Sequence, residues 1–246
     1  MSQIVAASPH VTTKNSTAVI MRDVLIALLP AVIAGCVVFG LRALLVVAVT
    51  TAACVFFEWG FEKLCHTPST ISDLSAAVTG VLLAMNLPVS IPLWQAVFGA
   101  LVAMVAVKGL FGGIGKNFAN PAITARIVMF LAFSKTMTAW VFPDAVSSAT
   151  PLAMMANGES VDYLTLLLGN HGGCLGETSA LALLIGFAYL LIRGVISWHT
   201  PVCFVGTVFV MSLILGQDAV GQILSGGLML GAIFMATDYS TTPSTN

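Results

Sequence analysis

The sequence predicts an all-α, polytopic integral membrane helix bundle, and three observations predict it. Of 246 residues, 58% are apolar and only 8% carry a charge, 9 basic and 10 acidic. A soluble domain spends roughly a quarter of its residues on charge, so too few remain here to cover a water-facing surface. The charges also fall at the edges of long uncharged intervals, Val24–Leu41, Ala43–Phe57, Leu74–Val107, Thr178–Ile192, Gly194–Gln217 and Ala219–Thr237, with a weaker apolar stretch from Ile127 to Phe142 that Lys135 breaks. Finally, 22 glycines and 10 prolines predict broken or tilted helices whose freed backbone groups must be satisfied by neighbouring segments. The net charge of −1 argues against an electrostatic nucleic-acid binder, which would show clustered Lys and Arg.

Each element follows in order. A bilayer crossing takes about 20 mostly apolar residues, and Leu74–Val107 is too long for one, with Pro88 and Pro92 near its middle. It divides into two helices around a tight turn at Leu87–Ile91. The expected spans are 24–41, 43–57, 74–87, 93–107, 122–142, 178–192, 195–216 and 219–236 of a single membrane domain, 1–246. The first twenty residues are polar and lack the apolar core of a cleavable signal peptide.

Orientation follows from Lys and Arg in short loops. With the N-terminus in the cytoplasm, Lys14, Arg22, Lys63, Lys108, Lys116, Arg126 and Arg193 share that side, loop 108–126 supplying three of them. Arg42 and Lys135 are the exceptions. The segment 144–177 carries Asp144, Glu159, Asp162 and Glu177 without Lys or Arg, and is expected outside.

Three polar clusters interrupt the apolar chain. Gly112, Gly113 and Gly115 with Asn117 and Asn120 precede Pro121. Glycines permit close backbone approach, and the cluster is either a capped loop entering a helix or a ligand-binding, helix-breaking segment. It is not a phosphate loop, because Asn follows Gly115-Lys116 where Ser or Thr is required. The second cluster, Asp144 to Ala153, places Thr150 among small residues before Pro151; its residues alone describe an ordinary surface turn. The third runs from Met235 through Asp238 to Pro243 and is a membrane boundary or part of an ion or cofactor site. Because charge is costly in lipid, Asp73, Glu177 and Asp238 are candidates for ion coupling. Cys36, Cys54, Cys65, Cys174 and Cys203 have no C-x-x-C spacing, and no metal site is expected.

The runs Met21-Arg22-Asp23-Val24 to Leu28-Leu29-Pro30-Ala31, Ser75-Ala76-Ala77-Val78-Thr79-Gly80 to Leu87-Pro88, Gly112-Gly113-Ile114-Gly115 to Asn120-Pro121-Ala122, Ser148-Ala149-Thr150-Pro151 and Ala236-Thr237-Asp238 together resemble the RnfD/NqrB family. The match in order and spacing covers essentially the whole chain. The closer likeness is to D subunits of Rnf ion-translocating ferredoxin:NAD oxidoreductase complexes. B subunits of the sodium-pumping NADH:quinone reductase are typically longer before the first span, and the Ser8-Pro9-His10 start suits the Rnf members.

The resemblance implies a membrane electron-transfer subunit. A threonine in an Asp-x-x-Ser/Thr-Gly/Ser-Ala-Thr pattern is esterified in this family to the phosphate of FMN by a separate flavin transferase. Asp144, Ser147, Ser148, Ala149 and Thr150 fill that pattern, followed by Pro151. Ser148 stands where many relatives have Gly. The implied partners are the other Rnf subunits (ferredoxin- or NAD-linked, flavin-bearing and iron–sulfur), with Na⁺ or H⁺ as coupling ion in a bacterial or archaeal cell membrane. Gly112, Gly113, Gly115, Asn117 and Asn120 are further cofactor-binding candidates, and riboflavin is a second flavin by analogy with the homologous reductase subunit. The family scaffold is channel- or transporter-like, built from inverted repeats; Asp73-x-Ser75-Ala76 and Glu177-x-Ser179-Ala180 are its candidate traces. Two further spans follow the Thr-Asp motif in the family pattern and are expected to be absent from this sequence. The alternative function is a secondary transporter or channel protein without redox chemistry, which the broken helices and polar clusters suggest by themselves.

Overall fold

The computed structural model describes residues 16–67, 69–140, 150–169 and 171–239. Helix α1 (Thr17–Phe39) starts where the Ser16 side chain accepts the Val19 N–H, and it carries Pro30 within its length. Gly40 then reverses the chain in one residue, its φ of 74° giving way at once to α2 (Leu41–Cys65). A side chain would be strained in that left-handed conformation. Among the described helices, these two are long and apolar enough to cross a bilayer.

Both helices exceed the intervals that the charges delimit. Arg22 and Asp23 are not a boundary, because Asp23 lies within α1, buried, and accepts from Arg193 at 3.0 Å. Likewise α2 runs past Glu58 to Cys65 and buries both Glu58 and Glu62.

A short 3₁₀ turn, Ile71–Asp73, leads through Leu74 into α3 (Ser75–Met85). Leu74 has φ 64°, a left-handed conformation that costs an L-residue about 1–2 kcal/mol. After the turn at 86–92 comes α4 (Leu93–Gly109), π-helical from Val102 onward. Arg42 clamps that turn by donating to the carbonyls of Val89 at 3.0 Å and Ile91 at 3.2 Å.

Asn120 caps α5 (Pro121–Ala132), accepting from the Ala122 and Ile123 N–H groups, with Pro121 in the first turn, where its missing donor costs nothing. The stretch 122–142 is not one helix: Phe133 leaves the helical region (φ −131°, ψ 44°) before the single turn α6 (Ser134–Met137). Further on lie α7 (Pro151–Ala156), α8 (Tyr163–Leu168), a 3₁₀ turn Leu175–Glu177, α9 (Ala180–Ile192) and α10 (His199–Ile214). The stretch 219–236 is likewise divided, into α11 (Ala219–Leu224) and α12 (Leu228–Leu230), which continues as a π-helix over Gly231–Met235. Gly226, at φ 69°, makes the break.

The core forms where α2 packs on α3 and α4 and α1 packs on α9, around Leu28, Leu83, Met85, Met129 and Leu230. Two glycines allow the closest approaches. A Cβ on Gly80 would stand 2.6 Å from the Thr51 Cα, and one on Gly186 would overlap the Ala27 carbonyl. On the outside, α1 and α10 expose Ile33, Val37, Val210 and Leu213, an apolar face suited to lipid.

Among the described residues there is no strand, and the extended pairing is a bridge between Pro88 and Cys174. Beside it, the Leu175 N–H donates to the Leu87 carbonyl at 3.2 Å. Segment 144–177 is therefore not wholly a peripheral loop. Its stretch from His171 to Leu175 is buried in the bundle, because Gly176 can approach Met85 where a Cβ would sit 2.9 Å from its carbonyl oxygen.

Candidate functional site

Lys108 is the hub. The sequence places it at the start of a loop, yet it is 4% exposed and sits in the π-helical end of α4. π-turns frequently occur at functional sites. Its ammonium donates to Glu58 Oε1 on α2 and to the Ser75 hydroxyl at the start of α3. Glu58 is 5% exposed. Such a pair must be matched closely, since the desolvation of two buried charges can exceed their attraction.

On one side of Lys108 opens a cavity of about 230 Å³, lined by Glu58, Glu62, Thr67, Thr70, Gly112 and Gly113 among others. Glu62 Oε1 accepts the Thr70 N–H at 2.9 Å and its hydroxyl at 2.5 Å. Glu58 Oε2 and Glu62 Oε2 are buried and have no hydrogen-bond partner among the described residues. Two carboxylates thus face one ammonium. Asp73, which accepts the Ser75 N–H at 2.8 Å, is near enough to act on Glu58 electrostatically.

On the other side lies a narrow, mostly apolar cleft. Val24, Val78, Leu82 and Phe234 supply apolar wall, and Ser75, Asn117, Asn120, Thr237, Asp238 and Tyr239 bring polar groups to it. Asn117 Oδ1 is buried and unpartnered among the described residues. Asn120 uses its Oδ1 as the α5 cap and turns its Nδ2 towards Asp238 Oδ2 at 3.5 Å. Gly113 and Gly115 adopt φ values of 89° and 79°, which shape the loop that carries Asn117.

A third cluster holds the centre. Arg126 on α5 donates to Asn86 Oδ1 at 2.9 Å, approaches Cys174 Sγ at 3.6 Å and pairs with Glu177 Oε1 at 3.5 Å. Glu177 Oε2 in turn accepts the Cys174 N–H at 3.2 Å. The side chain of Arg126 therefore bolts the two non-helical segments together, and it belongs to a helix rather than to a loop.

The sequence-derived candidates are thus sorted by position. Asn117, Asn120 and Asp238 share the cleft; Gly112 and Gly113 line the acidic cavity; Glu177 belongs to the Arg126 cluster. Asp73, Glu177 and Asp238 do not form one group. Thr150 lines neither cavity: it is half-buried at the start of α7, its Oγ1 accepting the Ala153 N–H at 3.4 Å, with Pro151 buried behind it. Asp144, Ser147, Ser148 and Ala149 lie outside the described residues. Glu58, Glu62, Lys108 and Arg126 were missed as site residues because each stands near the edge of an apolar run. The signal was the i, i+4 spacing of Glu58 and Glu62, which puts both on one helix face.

The sequence profile of the NQR2, RnfD, RnfE family matches residues 4–246. A relative from Acetobacterium woodii, the D subunit of a Na⁺-translocating ferredoxin:NAD⁺ oxidoreductase complex, is 47% identical over 98% of this chain and 78% of its own length. The D subunit of a proton-translocating complex of the same kind from Clostridium ljungdahlii is 36% identical, covering 98% of this chain and 80% of the relative. The D subunit of an ion-translocating oxidoreductase complex from Halorhodospira halophila is 34% identical over 100% of this chain and 81% of its own. On that match, which takes in the cleft, the acidic cavity and Thr150 alike, the chain belongs to the NQR2, RnfD, RnfE family.

Proposed function

We propose that this chain is the membrane electron-transfer D subunit of an ion-translocating ferredoxin:NAD⁺ oxidoreductase complex. The observation that carries the reading is the role named for the Acetobacterium woodii and Clostridium ljungdahlii relatives, D subunits of ion-translocating ferredoxin:NAD⁺ oxidoreductase complexes that are 47% and 36% identical over 98% of this chain. Its partners are the other subunits of the complex, ferredoxin- or NAD-linked, flavin-bearing and iron–sulfur. It resides in a bacterial or archaeal cell membrane as a multi-pass protein, with the N-terminus cytoplasmic and Thr150 outside.

FMN is joined through its phosphate to Thr150 by a flavin transferase. Thr150 fits that role: it is half-buried, and among the described residues its hydroxyl takes one long hydrogen bond, from the Ala153 N–H. Riboflavin is the occupant of the cleft. Its apolar walls suit a planar ring, and the orphaned Asn117 Oδ1 calls for a donor such as a ring N–H. A bound flavin supplies the one- and two-electron chemistry; the protein supplies position and electrostatics. Asn117 and Asn120 orient the ring, while the surrounding aliphatic side chains keep water from it.

The coupling ion is Na⁺ or H⁺, relatives being named for each. Glu58 and Glu62, with their unpartnered oxygens, are the groups best suited to hold it, with Asp73 beside them; Glu177 and Asp238 are further stations. The scaffold is an inverted repeat. In support, a 3₁₀ turn ending in an acid precedes both α3 and α9, and both α4 and α12 become π-helical.

Co-expression with a flavin transferase tests the attachment. A denaturing gel under ultraviolet light is expected to show a fluorescent band for the wild-type chain and none for Thr150→Ala. A dark wild-type band, or fluorescence that survives the substitution, would favour a transporter or channel protein without redox chemistry.

A further inference from the structure

Lys108 is a wall of both cavities. Of its two hydrogen-bond partners, Glu58 lines the acidic cavity alone and Ser75 lines the cleft alone. The ammonium therefore sits on the partition between them, on a flexible four-carbon stem. Glu58 is 5% and Glu62 9% exposed, and each has one buried oxygen without a partner among the described residues. A buried carboxylate oxygen without a donor is costly, and oxygen donors suit a hard cation. Two carboxylates there face one ammonium, so the cavity carries an excess of negative charge that favours a cation.

We propose that Lys108 is a movable partition linking the two cavities: a monovalent cation in the acidic cavity takes the place of the Lys108 ammonium at Glu58, and the displaced ammonium, held by Ser75, turns its charge to the cleft. The inference rests on the reading that a cation enters the cavity and a flavin the cleft. No bond is made or broken and no charge is lost; one cation replaces another at Glu58. The linkage is reciprocal. Negative charge arriving in the cleft draws Lys108 towards it and releases Glu58 to the cation.

The test uses the purified complex in NaCl against choline chloride at equal ionic strength. Equilibrium dialysis with radioactive sodium is expected to show Lys108→Met binding Na⁺ at least about fivefold more tightly than wild type, the lower end of usual coupling between sites. Ser75→Ala keeps the Glu58 pair but removes the hydroxyl that holds the displaced ammonium, and is expected to bind Na⁺ no more tightly than wild type. In the wild type, Na⁺ should raise the midpoint potential of the cleft flavin; the shift should vanish in Lys108→Met and shrink in Ser75→Ala. Equal or weaker Na⁺ binding by Lys108→Met overturns the proposal, as does a wild-type potential that is the same in both salts. Should Lys108→Met not assemble, an undiminished shift in Ser75→Ala overturns it. A cleft without flavin would instead defeat the reading of the cleft, and the sodium titration would still decide the competition at Glu58.

Discussion

Arg126 shows how much a single side chain holds in this molecule. It reaches Asn86 from one non-helical segment and Cys174 and Glu177 from another. Removing one member of such a cluster leaves the rest desolvated and unpaired, which costs more than the net worth of the bond itself. Arg126→Met keeps the stem but strands Glu177, whose side chain is 13% exposed. It is expected to destabilise the chain by about 1–3 kcal/mol in denaturant unfolding in detergent micelles. Adding Glu177→Gln should recover part of that loss, because the uncompensated charge then disappears. Wild-type stability in the single variant would show that the pair does not hold the two segments. Nothing in the residue order announces this cluster: Arg126 lies 40 positions from Asn86 and 48 from Cys174.

Between helices, glycine position decides how closely backbones approach. Gly80 admits Thr51 of α2 to α3, and Gly186 admits Ala27 of α1 to α9. Both glycines sit where a helix crosses its main neighbour. Gly80→Ala or Gly186→Ala must push backbone rather than a flexible side-chain tip, with an expected cost of about 1–3 kcal/mol. Gly60, also within α2, has nothing within 4 Å of its added Cβ. Gly60→Ala should accordingly be neutral or stabilising by up to about 1 kcal/mol through helix propensity. A thermal-shift series of the three variants in detergent checks the contrast, and equal effects at all three would refute the packing account. Helix existence was legible in the uncharged runs, and so was the turn between α3 and α4 through Pro88 and Pro92. The ends were not. Asp23, Glu58 and Arg126 look like boundaries because burial with a partner makes a charge tolerable inside a helix, and the partner is remote in the chain.

For the whole molecule, the two cavities and the residue between them matter more than the count of helices. Asn117 Oδ1 has no partner among the described residues and belongs to the cleft wall, so on the proposed reading of the cleft Asn117→Ala is expected to weaken riboflavin binding about fivefold, roughly the worth of one hydrogen bond. Fluorescence quenching of riboflavin titrated with the purified chain measures it; unchanged affinity would place the flavin elsewhere. By itself the sequence determined that this chain is an apolar helical protein, where glycine and proline interrupt it, and which family its motifs resemble, because composition and local backbone limits act without reference to distant residues. Only the tertiary structure decided that Lys108 belongs to Glu58 and Ser75, 50 and 33 positions away, and that Cys174 closes against Pro88. The physical reason is desolvation: a buried charge must be met by an opposite charge or a donor, and packing alone settles which one arrives.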